Sequence, residues 1–253
     1  MVSGLQLRVR GKKAVEGSHM REVFCCLSSI LLAVLPIFAE MASASNGTND
    51  RVRNCGSVLR GILDVPDHIP QDLLDRAGCV VVFPSVLRAS HISGGSYGRG
   101  AMSCRQGDNF KGPWGAPAMM ILEGGSFGWQ IGGKATDVVL LVMNERGARG
   151  MLNRKVKLGA DASVAAGLVG RDSSAGSAAT LQAEILSYSR RRGLFAGVSL
   201  EGSTIRPDNG DNHRLYGRKI PARDIALSGT VPVPPIAGEL ISTLDTKTLK
   251  HRA

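Results

Sequence analysis

The sequence predicts an α+β domain built on a mainly antiparallel, strongly curved, barrel-like β-sheet, with short helices at the N-terminal entrance and one mid-chain helix. Three observations carry that expectation. Between Ala77 and Gly217, short apolar runs alternate with glycine-rich turns. The run Cys79-Val80-Val81-Val82-Phe83 is apolar without interruption, the pattern of a strand buried on both faces. Paired glycines at Gly94-Gly95, Gly124-Gly125 and Gly132-Gly133 permit the sharp turns and bulges that bend a sheet, and closure would remove its exposed edges.

The elements follow in chain order. Over 51–63, Val52, Cys55, Val58, Leu59, Ile62 and Leu63 recur at three- and four-residue intervals, with Arg51, Arg53 and Arg60 elsewhere on the wheel. This is a helix pattern weakened by Gly56 and Gly61, each costing about 1 kcal/mol relative to alanine. A second short helix is expected over 69–76, with Pro70 near its first turn and Gly78 just past its end. Strands are expected over 79–83, 99–105, 118–122, 127–133, 137–143, 159–169, 181–189 and 193–200. Gln106-Gly107-Asp108-Asn109 has the composition of a hairpin turn, Asn144 can cap a helix over 144–152, and Asp208-Asn209-Gly210-Asp211 suits a turn. Val231-Pro232-Val233-Pro234-Pro235 cannot join a central strand because proline has no N–H to donate, so 229–253 is expected to be a linker and a loosely docked tail.

Residues 1–44 read as a leader outside the fold. Met20-Arg21 precedes an uncharged run over 23–39, and Ala42-Ser43-Ala44 offers a small-x-small cleavage pattern, so a secretory signal starting at Met20 is favoured over a start at Met1. The run is short for a bilayer span and contains Pro36, which makes an uncleaved anchor the alternative. Secreted or periplasmic localisation follows, with peripheral attachment to a membrane. Cleavage would remove five basic and three acidic residues and take the net charge from +10 to +8. That excess favours anionic surfaces. With 2 Trp, 3 Tyr and 6 Phe in the chain, aromatic stacking platforms for a specific nucleic-acid site are scarce.

Motifs for chemistry are weak. Gly94-Gly95-Ser96-Tyr97-Gly98 and Gly124-Gly125-Ser126-Phe127-Gly128 fit G-x-S-x-G, but that motif needs a strand-to-helix elbow, and Trp129-Gln130-Ile131-Gly132-Gly133 is a poor helix. A triad of Ser126, Asp208 and His213 can be written, yet nothing in the sequence brings those side chains together, so serine hydrolysis is the least favoured reading. The five histidines show no metal-ligand spacing, Asp208–Asn212 lacks the alternating oxygen ligands of a calcium loop, and Gly98-Arg99-Gly100 lacks the lysine and helix start of a phosphate loop. No cofactor and no metal are expected. Cys55, Cys79 and Cys104 form neither a disulfide framework nor a metal site; one bridge is open, with Cys79 otherwise a small buried hydrophobe.

Several of these segments together resemble the SYLF-domain lipid-binding family. They are Ile69-Pro70-Gln71-Asp72-Leu73-Leu74-Asp75-Arg76-Ala77-Gly78, the 94–100 segment, Gly112-Pro113-Trp114-Gly115-Ala116-Pro117-Ala118, the 124–133 segment and Gly193-Leu194-Phe195-Ala196-Gly197-Val198-Ser199-Leu200-Glu201-Gly202. They are collinear over roughly 69–220. The resemblance implies lipid binding without catalysis, with phosphoinositides and actin filaments as ligands of the fungal and animal members. Secreted bacterial members are the nearer likeness here, for which actin would be no partner. The domain is therefore bounded at 69–228, preceded by the amphipathic entrance at 45–68.

The resulting expectation is an exported, non-catalytic protein that engages anionic phospholipid headgroups. Candidate headgroup contacts are Arg88, Arg99, Arg105, Lys111, Arg154, Lys155 and Lys157, and a membrane-contact helix would present Val58, Leu59, Ile62 and Leu63. The alternative is an envelope module that recognises a protein partner. Trp114, between Pro113 and Pro117, is expected inside the fold.

Overall fold

The apolar run opens a longer strand than its pattern alone suggests. In the computed structural model, which describes residues 47–65, 68–88, 95–124, 135–170, 182–191 and 194–248, strand β1 spans Cys79–Arg88. It is followed by β2 (Ser96–Cys104), β3 (Ala118–Gly124), β4 (Thr136–Val142), β5 (Val156–Lys157), β6 (Val164–Ala166), β7 (Ile185–Arg191), β8 (Leu194–Gly197) and β9 (Thr204–Pro207). The helices are α1 over 47–63, α2 (Gln71–Arg76), α3 (Glu145–Asn153), α4 (Asn209–Tyr216), α5 (Ala222–Leu227) and α6 (Gly238–Lys247).

The strands form one sheet in the order β5-β9-β3-β2-β1-β4-β7-β6, with β8 also on β7. Every pairing is antiparallel except β6 with β7, so the sheet is mixed. It curls strongly into a half-barrel, and among the described residues its path does not close. The bend has a local cause in β1. Pro84 cannot donate to a ladder and Ser85 has φ 53°, and the register shifts against both neighbours between Val82 and Leu87 and between Phe83 and Val86. Gly100 of β2 lies so close to this stretch that a Cβ there would run into the Val82 carbonyl oxygen.

Alternation along β1 feeds two cores. Val81 and Phe83 join Met102, Met120, Leu122, Leu140 and Val142 on one face, where α3 adds Met151 and Leu152 and α5 adds Ala222, Ile225 and Ala226. Val80 and Val82 join Ala101, Met119, Val139, Leu141 and Tyr188 on the other, covered by α1, α2 and α6. Each fully buried side chain of this size contributes about 1.5–3 kcal/mol, so a sheet covered on both faces is well supported.

α1 forms as its periodicity predicts, but its apolar stripe faces inward. Leu59 and Ile62 are 0% exposed, Leu63 is buried, and Val58 packs against the same cluster. These four residues are therefore not a membrane-contact face: burying them against the sheet removes the surface that a bilayer would have to bind. The helix tolerates Gly56 because α6 crosses there, with a Cβ at that position only 2.9 Å from the Leu240 nitrogen.

Three further expectations change. Asp208-Asn209-Gly210-Asp211 starts a helix rather than making a turn: Asp208 caps α4, accepting from the Asp211 N–H at 3.1 Å. The chain after Gly229 is no loose tail, since α6 buries Leu240 and Leu244 in the second core. The long strand expected over 159–169 shrinks to the three residues of β6 beside a turn at 159–161. The strand expected over 127–133 lies outside the described residues. α3 appears as expected, with the Asn144 side chain accepting from Gly147 N–H at 2.8 Å.

Cys79 and Cys104 are disulfide-bonded across β1 and β2. They face each other as a non-hydrogen-bonded pair, since the flanking Arg105 N–H donates to the Gly78 carbonyl at 2.8 Å, and such pairs bring side chains closest. Cys79 is thus both a buried apolar residue and a bridge. Cys55 stays a free thiol in the opposite core, where burial pushes it up to about 12 and keeps it protonated.

Candidate functional site

Ion pairs divide the candidate cations. Arg105 is 2% exposed, stacks 4.7 Å over the Trp114 ring and donates to the Thr248 hydroxyl at 2.8 Å. Trp114, itself buried, donates its indole N–H to the same hydroxyl at 3.1 Å. The two side chains hold the end of α6 against the sheet, and Arg105 is withdrawn from the candidate headgroup contacts because it cannot reach an external phosphate.

Arg99 is tied up as well, in a cluster joining α1, β2 and α4. Its guanidinium donates to Asp208 Oδ2 at 2.7 Å and lies 3.0 Å from Asp211 Oδ2. Asp211, 1% exposed, also pairs with Arg51 and Arg214. Burial first, and then the neighbouring Arg99, pull the Arg51 guanidinium below its ordinary value. A carboxylate this deep is tolerated because three guanidinium groups face it. The Asp208 carboxylate is engaged by the α4 cap on one oxygen and by Arg99 on the other, and among the described residues no hydrogen bond joins it to His213. Ser126 lies outside the described residues. Among the described residues no three His, Cys, Asp or Glu side chains converge as a metal site.

Lys155 lies 3.5 Å from Glu123, which also accepts from Arg206 at 2.7 Å. The hydrogen bond from Arg206 is the main cause that lowers the Glu123 carboxyl from its usual range. Arg190 is held similarly by Asp137 at 3.0 Å. For Arg88 the structure describes the strand position only, opposite Ser96.

Among the described residues, unpaired cations remain on α2, at Arg76, and in the loop at Lys111, but the largest group follows α3 and the link from α4 to α5 and forms a basic pole. Lys111, Arg154 and Lys157 are exposed and have no ion pair among the described residues, and the same is true of Arg218, Lys219 and Arg223, which lie outside the candidate set. Arg154, Arg218 and Arg223 adjoin a pocket of about 720 Å³ whose walls include Leu152, Asn153, His213, Lys219 and Ile220. Local structure builds this hollow. Arg154 is fully extended and ends α3, while Gly217 takes the left-handed conformation (φ 69°) that ends α4. The stretch from Arg218 to Pro221, outside any helix or strand, then leads into α5. At the end of α4, Tyr216 donates to the Pro117 carbonyl at 2.7 Å, and burial raises its phenol well above the usual range. Among the described residues no acidic side chain lines the pocket.

A second hollow of about 280 Å³ lies at the start of α1, with Asp50, Arg51, Ser85, Leu87, Tyr97 and Arg99 on its walls. Its cations already have acidic partners. Leu87 and Tyr97, opposite each other across β1 and β2, are 57% and 44% exposed. The sequence offered one signal for the basic pole: two cations between a capping glycine at 217 and a helix-starting proline at 221.

Comparison with known proteins places the chain among sequence relatives. A family model described as Ysc84, Las17-binding protein actin regulator, matches residues 123–247, a span that includes every residue lining the larger pocket. An SH3 domain-containing protein of Schizosaccharomyces pombe is 36% identical over 205 residues, covering 77% of this chain and 46% of that protein. Protein YSC84 of Saccharomyces cerevisiae is 34% identical over 182 residues, 71% of this chain and 38% of its own length. The human SH3 domain-containing YSC84-like protein 1 is 32% identical over 206 residues, 79% of this chain and 59% of its own. The chain therefore spans between 38% and 59% of these relatives. They are named for domains and binding, not for catalysis.

Proposed function

The chain belongs to the SYLF (Ysc84) family, and on that premise we propose that it is a non-catalytic binding protein that engages anionic phospholipid headgroups through its basic pole. The observation that carries this reading is the contrast in pairing: most cations elsewhere have carboxylate partners, whereas Arg154, Lys157, Arg218, Lys219 and Arg223 have none among the described residues. Each cation near an anionic membrane contributes about 1 kcal/mol, so the five form an effective electrostatic footprint without an inserted helix.

We also propose export. The leader pattern around Met20 supports it, and so does the Cys79–Cys104 bridge, a bond that persists in oxidising compartments. A protein-partner reading has its own support, since the matched family is described as Las17-binding and actin-regulating. Flotation with vesicles tests the choice. The wild-type chain should bind vesicles containing anionic lipid in preference to purely zwitterionic ones, and Arg154→Gln, Lys157→Gln and Arg218→Gln together should weaken binding by roughly a hundredfold. Absence of vesicle binding together with co-sedimentation on actin filaments would move the protein-partner reading ahead.

A further inference from the structure

The larger pocket differs from a merely charged surface in having an apolar wall. Leu152 and Ile220 line it from the core side, where Leu152 is buried and Ile220 packs against the same cluster as α3 and α5. Lys219 and His213 line it together with Asn153 and Asn209, all four exposed to incoming solutes. The walls thus offer one cation, one imidazole and two amides, with no carboxylate among the described lining residues to compete for them. Its volume of about 720 Å³ is that of a small-molecule site and exceeds what a bare oxyanion would fill.

We propose that this pocket binds a phosphate ester bearing an apolar substituent, with the phosphate on Lys219 and His213 and the substituent against Leu152 and Ile220. This rests on the anionic-headgroup reading and gives it a discrete site. The chemistry is shared by two sources, a lipid headgroup entering from a membrane and a soluble phosphate ester. Lys219 supplies the charge. Arg154 and Arg218 beside the mouth raise the local concentration of anions without lining the site.

Calorimetric titration of the full chain with monomeric dihexanoyl phosphatidic acid tests the site apart from any bilayer, with inorganic phosphate and glycerol 3-phosphate as less apolar probes. Saturable binding of one dihexanoyl phosphatidic acid per chain is expected, at least about tenfold tighter than inorganic phosphate. Lys219→Gln should weaken it by about tenfold or more, as expected for a lost charge-assisted hydrogen bond, while Lys219→Arg should stay within about threefold. Arg76→Gln is the control, an equal charge change on α2, which packs on the opposite face of the sheet. Lys219 is exposed, so the variants should fold, and unchanged thermal unfolding checks this. The inference is overturned if no probe saturates, or if Lys219→Gln and Arg76→Gln weaken binding equally. The anionic-surface reading fails separately. Vesicle binding that survives without any soluble-probe binding would remove the pocket and keep the surface, whereas probe binding without vesicle binding would keep the pocket for a soluble ester and remove the surface.

Discussion

The ion cluster at Asp211 and the basic pole beside α3 and α4 use the same side chains for opposite ends. At the cluster, Arg51, Arg99 and Arg214 converge on a carboxylate that is almost fully buried, and they link three elements far apart in sequence. At the pole, Arg154, Arg218 and Lys219 have no acidic partner among the described residues, and their charge is directed to whatever approaches. An arginine count cannot separate the two. Availability depends on whether a carboxylate from another element arrives within hydrogen-bond distance, and that is a property of the folded chain.

The comparison can be broken most severely at the interior side. Trp114→Ala should destabilise by about 4 kcal/mol, because it removes a large buried ring and uncovers Arg105 beneath it. Chemical denaturation would measure this, and a wild-type midpoint would show that the ring and its cation are not structural. Asp211→Ala should follow at about 3 kcal/mol, since three guanidinium groups then lose their shared acceptor. A loss below about 1 kcal/mol would mean that the cluster is as dispensable as the pole.

Glu123 lies between the two regimes. Its carboxyl is lowered in the fold, chiefly by Arg206, so its contribution is complete above the unfolded value of about 4.3 and fades as pH falls through the folded one. Solvent screening keeps that contribution under about 1 kcal/mol. Thermal unfolding of Glu123→Gln should accordingly converge with wild type only in acid. The same change frees Lys155 and Arg206, and vesicle binding should strengthen several-fold if unpaired cations are what matter. The smallest effect on stability belongs to the pole itself: Arg154→Gln and Arg218→Gln should each shift unfolding by less than about 0.5 kcal/mol. A larger loss would reveal a structural partner and end the distinction between the regions.

The sequence by itself determined what depends on neighbours a few residues away. Apolar continuity at Cys79–Phe83 was enough to read a strand buried on both faces, three- and four-residue spacing placed a helix across 51–63, and Asn144 marked the start of α3. Only the tertiary structure decided where the helix stripe faces and which charges remain free. Leu59 and Ile62 have the periodicity of a membrane-contact helix and of a core helix alike, and the sheet beneath them resolves it. Arg99 and Asp208 stand 109 residues apart, so no local pattern could report their pairing. The same holds for Thr248, which Arg105 and Trp114 reach from 143 and 134 residues away and which marks the end of a docked helix where prolines suggested a tail. Periodicity and capping are set by bonds within a turn or two of chain, whereas ion pairing and burial are set by whichever surface the rest of the chain brings alongside.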